Sequence, residues 1–335
     1  MATTGSGPLR YLSAGDVTAA MPDLDRRLEL AELTMTALVA DAELPPKLGV
    51  HPRPEGSFMH AMPAHLRGRA TTGEEDLLGM KWVGGFGTNN ARGLPAINAV
   101  VILNDPATGF PRAILDGGPI TAQRTAAISG VAIRHFAPAL AGRVARAALI
   151  GAGAQGDSHL AVLGAVLPGV ALTLFDRHPE RAEALASKAR ATAGIGVVTI
   201  AAGARQAVQD ADVVVTAASF GPVRQVMTAD WLREDALVVP VDYATYVAAE
   251  VARDAALFLV DHRDQFLAGR DAGLFDGYPD PTATLGEAIL AGTARPDSGR
   301  VVVTHLGVGL ADVLFADAIV RRAETLGLGV RLDGA

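Results

Sequence analysis

A glycine-rich segment carries the clearest chemical signal in the sequence. Residues 151–156 read Gly-Ala-Gly-Ala-Gln-Gly, which fits the pattern G-x-G-x-x-G directly after the apolar run 147–150. Glycines in such a turn let backbone N–H groups approach a pyrophosphate, whose charge is favoured at the N-terminus of the following helix. The segment predicts a dinucleotide-binding turn, and the residues expected to contact the cofactor are Gly151, Gly153, Ala154, Gln155 and Gly156.

Asp176 and Arg177 bear on which dinucleotide is bound. Asp176 ends the next predicted strand, twenty residues after Gly156. A carboxylate at this position accepts hydrogen bonds from the ribose hydroxyls and repels a 2′-phosphate, so NAD is the predicted cofactor. The neighbouring guanidinium of Arg177 attracts such a phosphate, so NADP stays open as an alternative.

Two cations stand among apolar neighbours earlier in the chain. Lys81 lies within the strand-like run 79–83, and Arg124 lies in the first turns of a predicted helix. Oxidising an α-amino acid, or reducing its imine, requires a cation for the carboxylate, an acid or base for the nitrogen and a nicotinamide facing Cα. Lys81 and Arg124 are candidates for the first role. The alternative is a structural ion pair or a solvent-facing position.

Asp242 is a candidate ligand-site residue because of its place after a strand. It follows the predicted strand 237–241 at the carboxyl edge of the sheet, where ligands bind in open α/β folds. The alternative is that it caps the N-terminus of a following helix.

The elements that position these residues fall into two patterns. After Gly142, strands and helices alternate regularly, which predicts βαβ units and a parallel, doubly wound sheet. The predicted strands of this part are 147–150, 171–175, 197–201, 213–216, 237–241 and 257–260. The first third is mixed and rich in strands. It contains a predicted helix over 13–41, strands over 57–61, 77–83, 96–103 and 111–115, and then a helix over about 121–140.

We therefore predict an α/β protein of two domains. A Rossmann NAD-binding domain covers residues 133–303. An α+β domain for substrate binding and dimerisation combines residues 1–132 with 304–335, because the amphipathic helix 309–326 lies beyond the last βα unit and is expected to return to the first domain.

Composition narrows the partners. The chain has 335 residues, a net charge of −7 and no cysteine. No basic excess is present to neutralise phosphates, so nucleic acid and anionic membranes are poor partners, and a small molecule is the expected substrate. Neither a signal peptide nor a membrane-length apolar run is visible, so a cytoplasmic location is expected. The histidines lack metal-ligand spacing, so no metal is expected.

Separated motifs resemble the ornithine cyclodeaminase/mu-crystallin family over nearly the whole chain. Besides the glycine-rich turn, the matching positions are Met62-Pro63, Lys81, Asn89, Gly93-Leu94-Pro95, Thr108-Gly109-Phe110-Pro111, Thr121-x-x-Arg124-Thr125-Ala126-Ala127 and Gly307-x-Gly309-x-x-Asp312. The resemblance implies that Lys81 and Arg124 hold the substrate carboxylate and that Asp242 exchanges a proton with the substrate nitrogen. It also implies a homodimer joined through the non-Rossmann domain. Further predicted contacts are Asn89 with substrate, and Thr125, Thr216 and Ala217 with cofactor.

Three departures from the family bear on the substrate. Lys47 replaces an arginine that grips the carboxylate in ornithine cyclodeaminases, and His60 replaces a glutamate two residues before Met-Pro. Residues 243–246 replace a common Pro-Gly-Lys after Asp242. Lys47 and His60 remain predicted substrate-binding residues. These two replacements favour a substrate other than ornithine.

The sequence therefore predicts an NAD-dependent amino-acid dehydrogenase or ketimine reductase. One alternative is an ornithine cyclodeaminase, which converts ornithine to proline and ammonia with catalytic NAD. Another class is a non-catalytic, crystallin-like binding protein. The retention of Lys81, Arg124 and Asp242 together argues against that class, because a binder has little need for all three.

Overall fold

The computed structural model describes residues 9–68, 75–219 and 224–332. Its strands are β1 (Leu9–Leu12), β2 (Ala42–Glu43), β3 (Leu48–Val50), β4 (Phe58–Leu66), β5 (Leu77–Gly85), β6 (Ile97–Asn104), β7 (Pro111–Asp116), β8 (Arg146–Ile150), β9 (Val170–Phe175), β10 (Ile195–Ile200), β11 (Val213–Thr216), β12 (Leu237–Pro240), β13 (Leu257–Val260), β14 (Ala283–Thr284), β15 (Val301–Thr304) and β16 (Val330–Leu332). Its α-helices are α1 (Ala14–Ala19), α2 (Leu24–Ala40), α3 (Gly117–Phe136), α4 (Ala154–Val166), α5 (Pro179–Arg190), α6 (Ala204–Val208), α7 (Ala249–Arg253), α8 (Arg263–Asp271), α9 (Leu285–Leu290) and α10 (Gly309–Leu326). Short 3₁₀ helices cover Gly87–Arg92 and Ala229–Trp231.

The chain divides into two compact units. The first unit contains residues up to Arg124 and those from Val308 onward, and the second contains Thr125–Gly307. The boundaries predicted from the sequence fall after residues 132 and 303. The structural division therefore lies eight residues earlier at the first boundary, within α3, and four residues later at the second.

The first unit is built on a mixed sheet with the strand order β16-β1-β7-β6-β5-β4-β2, and β3 also pairs with β4. The neighbours from β4 to β7 run antiparallel, whereas β1 is parallel to β7. β5 buries Leu77, Gly79, Lys81 and Val83 on one face, which is the period of two that a half-buried strand requires. The strands predicted over 77–83, 96–103 and 111–115 are confirmed as β5, β6 and β7.

β4 is longer than the predicted piece over 57–61, because the strand continues through Pro63. Proline removes a backbone donor and is usually confined to edges and irregular positions of a sheet. β3 pairs with β4 up to Ala61, and β2 pairs with it from His65 onward. Pro63 lies between these two pairings, where the missing N–H breaks no ladder on that side.

The predicted helix over 13–41 is wrong as a single element, because the segment forms α1 and α2. Ser13 is the N-cap of α1, and its side chain forms a capping box with Asp16. Pro22 follows α1, and Asp23 then caps α2 by accepting a hydrogen bond from the backbone N–H of Arg26. Because proline has no backbone N–H to donate within a helix, Pro22 separates the two helices. The apolar periodicity over 13–41 therefore continues across two helices instead of marking one.

The helix predicted over 121–140 occurs as α3, displaced by four residues at each end. It ends at Phe136, just before Ala137 and Pro138. The residue before a proline is disfavoured in the α region, which explains the earlier end.

α10 packs on the sheet of the first unit. Its bounds agree with the predicted 309–326, and it groups with the first unit. Two glycines allow the close approach. A Cβ on Gly79 of β5 would lie 3.1 Å from Val313 Cγ2, and a Cβ on Gly309 would lie 2.4 Å from the carbonyl oxygen of Met62 in β4.

The second unit contains a parallel sheet with the order β10-β9-β8-β11-β12-β15-β13-β14. The first five strands of this order follow the Rossmann pattern of two halves diverging from a central pair, here β8 and β11. β15 enters between β12 and β13, although it follows both in the chain. The predicted α/β class with a doubly wound parallel sheet is confirmed. Among the described residues, no helix has the length and apolar character needed to cross a membrane.

Gly79 gives a direct test of the packing between β5 and α10. We expect Gly79→Ala to lower the free energy of unfolding by about 2 kcal/mol, because its Cβ would lie 2.5 Å from the carbonyl oxygen of Ile102 and would also press on α10. Gly87→Ala is the control, since nothing lies within 4 Å of its Cβ position. Urea denaturation measures both. Equal effects of the two variants would contradict the close packing.

Candidate active site

Lys81 and Arg124 of the first unit converge on a buried carboxylate. Lys81 Nζ lies 2.7 Å from Asp312 Oδ2, and Arg124 Nε lies 3.4 Å from Asp312 Oδ1. The three side chains come from β5, α3 and α10, and the Asp312 side chain is fully buried. The structure therefore brings Lys81 and Arg124 together, as expected for two groups predicted to hold one ligand.

The net charge of this cluster depends on the protonation of Lys81. Two basic side chains share one carboxylate. Burial lowers the pKa of Lys81 to about 7; Arg124 and Lys47 also lower it, whereas Asp312 raises it. A ligand carboxylate beside Lys81 would add a second negative charge and favour the ammonium form. The cluster is thus suited to bind an anion of the size of a carboxylate.

His60 lies on the same face of the sheet as Lys81. Lys81 pairs with Met62, and His60 precedes Met62 by two residues on β4. The His60 ring stacks on Phe58 with centroids 4.4 Å apart. Burial first, and then Lys47, His51 and Lys81, lower the pKa of His60 to about 4. His60 is therefore neutral at physiological pH, in surroundings that disfavour a further positive charge.

Asn89 has a role within its own loop. Its side-chain amide donates a hydrogen bond to the carbonyl oxygen of Pro95, 2.9 Å away, and its backbone carbonyl accepts from the N–H of Leu94. These bonds join Asn89 to the Gly93-Leu94-Pro95 segment within one loop. Contact of Asn89 with a substrate stays a prediction.

Asp242 of the second unit is a buried carboxyl group held by two donors. The hydroxyl of Thr216 donates to Oδ1 over 2.8 Å, and the N–H of Ala218 donates to Oδ2 over 3.0 Å. Burial raises the pKa of Asp242 to about 7, although both hydrogen bonds oppose the shift. The helix-cap alternative is wrong, because the next helix, α7, begins at Ala249 with Ala248 as its N-cap.

The glycine-rich turn has the backbone form that a dinucleotide needs. Gly151 has φ +103°, and a Cβ there would lie 2.4 Å from the carbonyl oxygen of Ala217. A Cβ on Gly156 would lie 2.2 Å from the carbonyl oxygen of Gly151. Gly153 is different, because it caps α4 without a side-chain bond and nothing lies within 4 Å of its Cβ position. Gly151 and Gly156 allow the tight turn, and Gly153 leaves room for a phosphate at the helix N-terminus.

A cleft in the second unit continues from this turn. Its lining residues are Ile150, Gly151, Phe175, Asp176, Arg177, His178, Arg181, Ala218, Ser219, Val226, Thr245 and Tyr246. Asp176 is fixed there, since its Oδ2 accepts from the N–H of Ala152 and its Oδ1 from the N–H of His178. Arg177 and Arg181 add positive charge to the same cleft. Its apolar walls and single fixed carboxylate fit the adenosine part of a dinucleotide.

Several residues predicted to contact the cofactor instead contact other groups of the protein in this structure. Thr216 orients Asp242, and the backbone of Ala217 packs against Gly151. The Gln155 carbonyl oxygen contacts the Ser158 hydroxyl and His159 Nδ1. Thr125 is buried in α3. Direct contact of these residues with a cofactor stays a prediction.

Sequence reasoning missed two features of the site. Asp312 belongs to a matched motif but was not assigned a role, although a carboxylate on an apolar helix signals a buried partner. The other feature is the segment of Thr245 and Tyr246, which line the cleft. Within the described ranges, no group of three or more histidine, aspartate or glutamate side chains is arranged to hold a metal.

The fold and the glycine turn define a Rossmann-type nucleotide-binding protein. A family model described as the ornithine cyclodeaminase/mu-crystallin family matches residues 18–324. The chain therefore belongs to this family, and the resemblance inferred from the sequence is confirmed.

Three similar proteins illustrate the range of the family. The nodulation efficiency protein NfeD of Rhizobium meliloti is 34% identical over 329 residues, which cover 96% of this chain and 98% of that protein. The ketimine reductase mu-crystallin of Mus musculus is 27% identical over 266 residues, covering 78% and 79%. A solved archaeal alanine dehydrogenase dimer with bound NAD has a TM-score of 0.81 and 25% identity, covering 97% and 98%.

Burial of Lys81 makes stability depend on pH. Its pKa is about 7 in the folded chain and near the ordinary 10.5 when unfolded, so the unfolded chain binds more protons between these values. We expect this group to make the protein more stable as pH rises from about 7 towards 10.5. The Lys81→Met variant should lack that contribution, whereas the exposed control Lys188→Met should keep it. Chemical denaturation at several pH values measures the difference, and identical pH slopes for wild type and Lys81→Met would contradict the assignment.

Asp176 is expected to set the choice between the two dinucleotides. In Asp176→Asn the charge that repels a 2′-phosphate is lost while Arg177 and Arg181 remain, so the ratio of NADPH to NADH affinity should rise about tenfold. The same substitution combined with Arg177→Ser should reverse part of the gain. Fluorescence titration of both reduced cofactors measures the ratio, and an unchanged ratio in Asp176→Asn would show that Asp176 does not face the ribose.

Proposed function

We propose that this protein is an NAD-dependent oxidoreductase that acts on the carbon–nitrogen centre of an amino or imino acid, as an amino-acid dehydrogenase or ketimine reductase. The observation that carries the proposal is the position of Asp242 beside the nucleotide turn. The loop after β11 touches both groups, because the carbonyl oxygen of Ala217 lies against Gly151 and the N–H of Ala218 donates to Asp242. This loop thus links a buried carboxyl group whose pKa is about 7 to the proposed cofactor cleft.

Asp242 can exchange a proton with the substrate nitrogen in either direction. A general acid or base works best when its pKa lies near the operating pH. Protonated Asp242 would donate a proton when an imine is reduced, and ionised Asp242 would accept one when an amine is oxidised. Thr216 and Ala218 hold the carboxyl group in one orientation for both. The bound nicotinamide supplies or accepts the hydride at Cα.

Lys81 and Arg124 are the proposed carboxylate-binding residues. Their cluster with Asp312 contains two basic side chains and one carboxylate, so a substrate carboxylate would favour the ammonium form of Lys81 and balance its charge. Lys47 contributes a further cation nearby, as its effect on the pKa of Lys81 indicates. Arg124 lies beside Asp312, and its buried Nε has no hydrogen-bond partner among the described residues, so a substrate carboxylate would satisfy it.

The surroundings of His60 favour a substrate without a side-chain ammonium. His60 is neutral, and Lys47, His51 and Lys81 all act on it as positive neighbours. A second ammonium on the substrate, such as that of ornithine, would meet the same positive potential. We therefore propose net oxidation or reduction in preference to cyclodeamination.

The test follows reduced nicotinamide by its near-ultraviolet absorbance and assays ammonia in parallel. The panel contains L-alanine, L-proline and L-ornithine with NAD, and cyclic imino acids or pyruvate plus ammonia with NADH. Net formation or consumption of NADH is the expected result. Ammonia release from ornithine without net NADH would identify a cyclodeaminase. No turnover in either direction, with NADH binding intact, would support the non-catalytic class.

Asp242 predicts the pH dependence of that activity. Reduction needs the protonated carboxyl group, so kcat/KM for imine reduction should fall as pH rises through about 7. Asp242→Asn should lose turnover but retain NADH binding. Asp254→Asn, an exposed aspartate of the same unit, is the control. Turnover of Asp242→Asn at the wild-type rate would exclude Asp242 as the proton carrier.

We also propose a homodimer formed through the sheet of the first unit. The face opposite α10 exposes apolar partners on adjacent strands, Trp82 with Val100 and Tyr11 with Val330. Exposed apolar residues grouped on one sheet face are typical of an interface. The related archaeal structure is a dimer.

Trp82→Glu tests this interface. A charge placed within a buried apolar contact is costly, so the variant should shift from dimer to monomer. Val197→Glu, at an exposed apolar position of the second unit, should leave the dimer intact. Light scattering coupled to size-exclusion chromatography measures the mass. A dimer that persists in Trp82→Glu would place the interface elsewhere.

A further inference from the structure

Tyr246 occupies a fixed position beside the nucleotide cleft. It follows Asp242 by four residues, in the segment that departs from the family's common Pro-Gly-Lys. The N–H of Met227 donates to the carbonyl oxygen of Tyr246 over 2.8 Å, and the N–H of Gln225 donates to that of Thr245 over 3.0 Å. Met227 also forms a parallel bridge with Val247. The backbone on both sides of Tyr246 is therefore held, which limits the directions its side chain can take.

The side chain of Tyr246 lines the same cleft as Asp176 and Arg177. Its ring is half-buried, and the carboxylates of Asp242 and Asp176 and the guanidinium of Arg177 all act on its phenol. Burial first, and then the two carboxylates, raise the pKa of Tyr246, so the hydroxyl keeps its proton at physiological pH. The cleft thus contains a neutral donor on an aromatic ring.

The neighbours of Tyr246 indicate which part of a dinucleotide it would meet. Phe175, Asp176 and Arg177 stand at the end of β9, the position that contacts the adenosine ribose in Rossmann domains. Val226 and Tyr246 line the same cleft from the segments that follow β11 and β12. Between these two sides, an adenosine would bury apolar surface on Tyr246 and Val226 while its ribose faced Asp176.

We propose that Tyr246 is a cofactor-binding residue that contacts the adenosine half of NAD, with its ring against the adenosine and its hydroxyl donating a hydrogen bond to it. The proposal rests on the NAD cofactor of the proposed function. It adds a specific contact in place of the lysine-containing segment common in the family. The aromatic ring would bury apolar surface against the adenosine, and the hydroxyl would add one hydrogen bond of defined orientation.

Binding of ADP-ribose separates this role from others, because ADP-ribose carries the adenosine and diphosphate but no nicotinamide. Calorimetric titration of Tyr246→Ala should give dissociation constants for ADP-ribose and NADH that are both raised about tenfold. Tyr246→Phe, which keeps the ring and removes only the hydroxyl, should raise both about threefold. Phe110→Ala, at an exposed aromatic residue of the first unit, is the control and should change neither.

Other results of these titrations would indicate a different role for Tyr246. Unchanged ADP-ribose affinity in both Tyr246 variants would overturn the proposal, and a shifted pH profile in that case would mean that Tyr246 acts on Asp242 instead. A rise for NADH alone would place Tyr246 at the nicotinamide half and would also overturn it. If the wild-type protein binds neither ADP-ribose nor NADH, the cofactor assignment itself fails. Circular dichroism checks folding, and Tyr246→Phe keeps the test valid if Tyr246→Ala does not fold.

Discussion

The buried contact between Lys81 and Asp312 constrains how the first unit packs. An ammonium group without water costs several kcal/mol, and a carboxylate brought within 2.7 Å offsets part of that cost. For this contact to form, α10 must lie close to β5, and the glycines at 79 and 309 make that approach sterically possible. The end of the chain therefore completes a site whose lysine lies far earlier in the sequence.

The two units contain buried groups whose pKa values converge from opposite directions. Burial lowers the pKa of Lys81 and raises that of Asp242, and both reach about 7. The cause is the same in each case, because an environment without water penalises the charged form. Each group can therefore change its protonation near neutral pH in response to a bound ligand. Such tuning suits proton exchange at nitrogen and has no evident value for a purely structural protein.

Local patterns in the sequence were sufficient for much of the fold. The glycine turn, the strands β5 to β7 and β11, and helix α10 follow from periodicity and position. The single helix predicted over 13–41 was wrong because the local signal of Pro22 was not used. Other differences arose where tertiary context overrides local patterns. Pro63 is accommodated by a gap between two strand partners, and the insertion of β15 between β12 and β13 leaves no local signal.

The candidate site divides in the same way. Lys81 and Arg124 were predicted from charge in apolar surroundings, Asp242 from its position after a strand, and all three from the resemblance. The pairing with Asp312 needed the structure, because it joins residues more than two hundred positions apart. The orienting role of Thr216 and the place of Tyr246 in the cleft also needed it, since a threonine at a strand end or a tyrosine in a loop carries no distinctive spacing.

The proposed reaction transfers a hydride from the nicotinamide to Cα and consumes one reduced cofactor for each amino acid formed. The most direct measurement uses NADH deuterated at its transferable position, with mass spectrometry of the amino acid formed from an imino acid. We expect deuterium at Cα of the amino acid, and we expect one NAD to form for each amino acid that is produced. Product formed without loss of NADH, or product without deuterium, would contradict it.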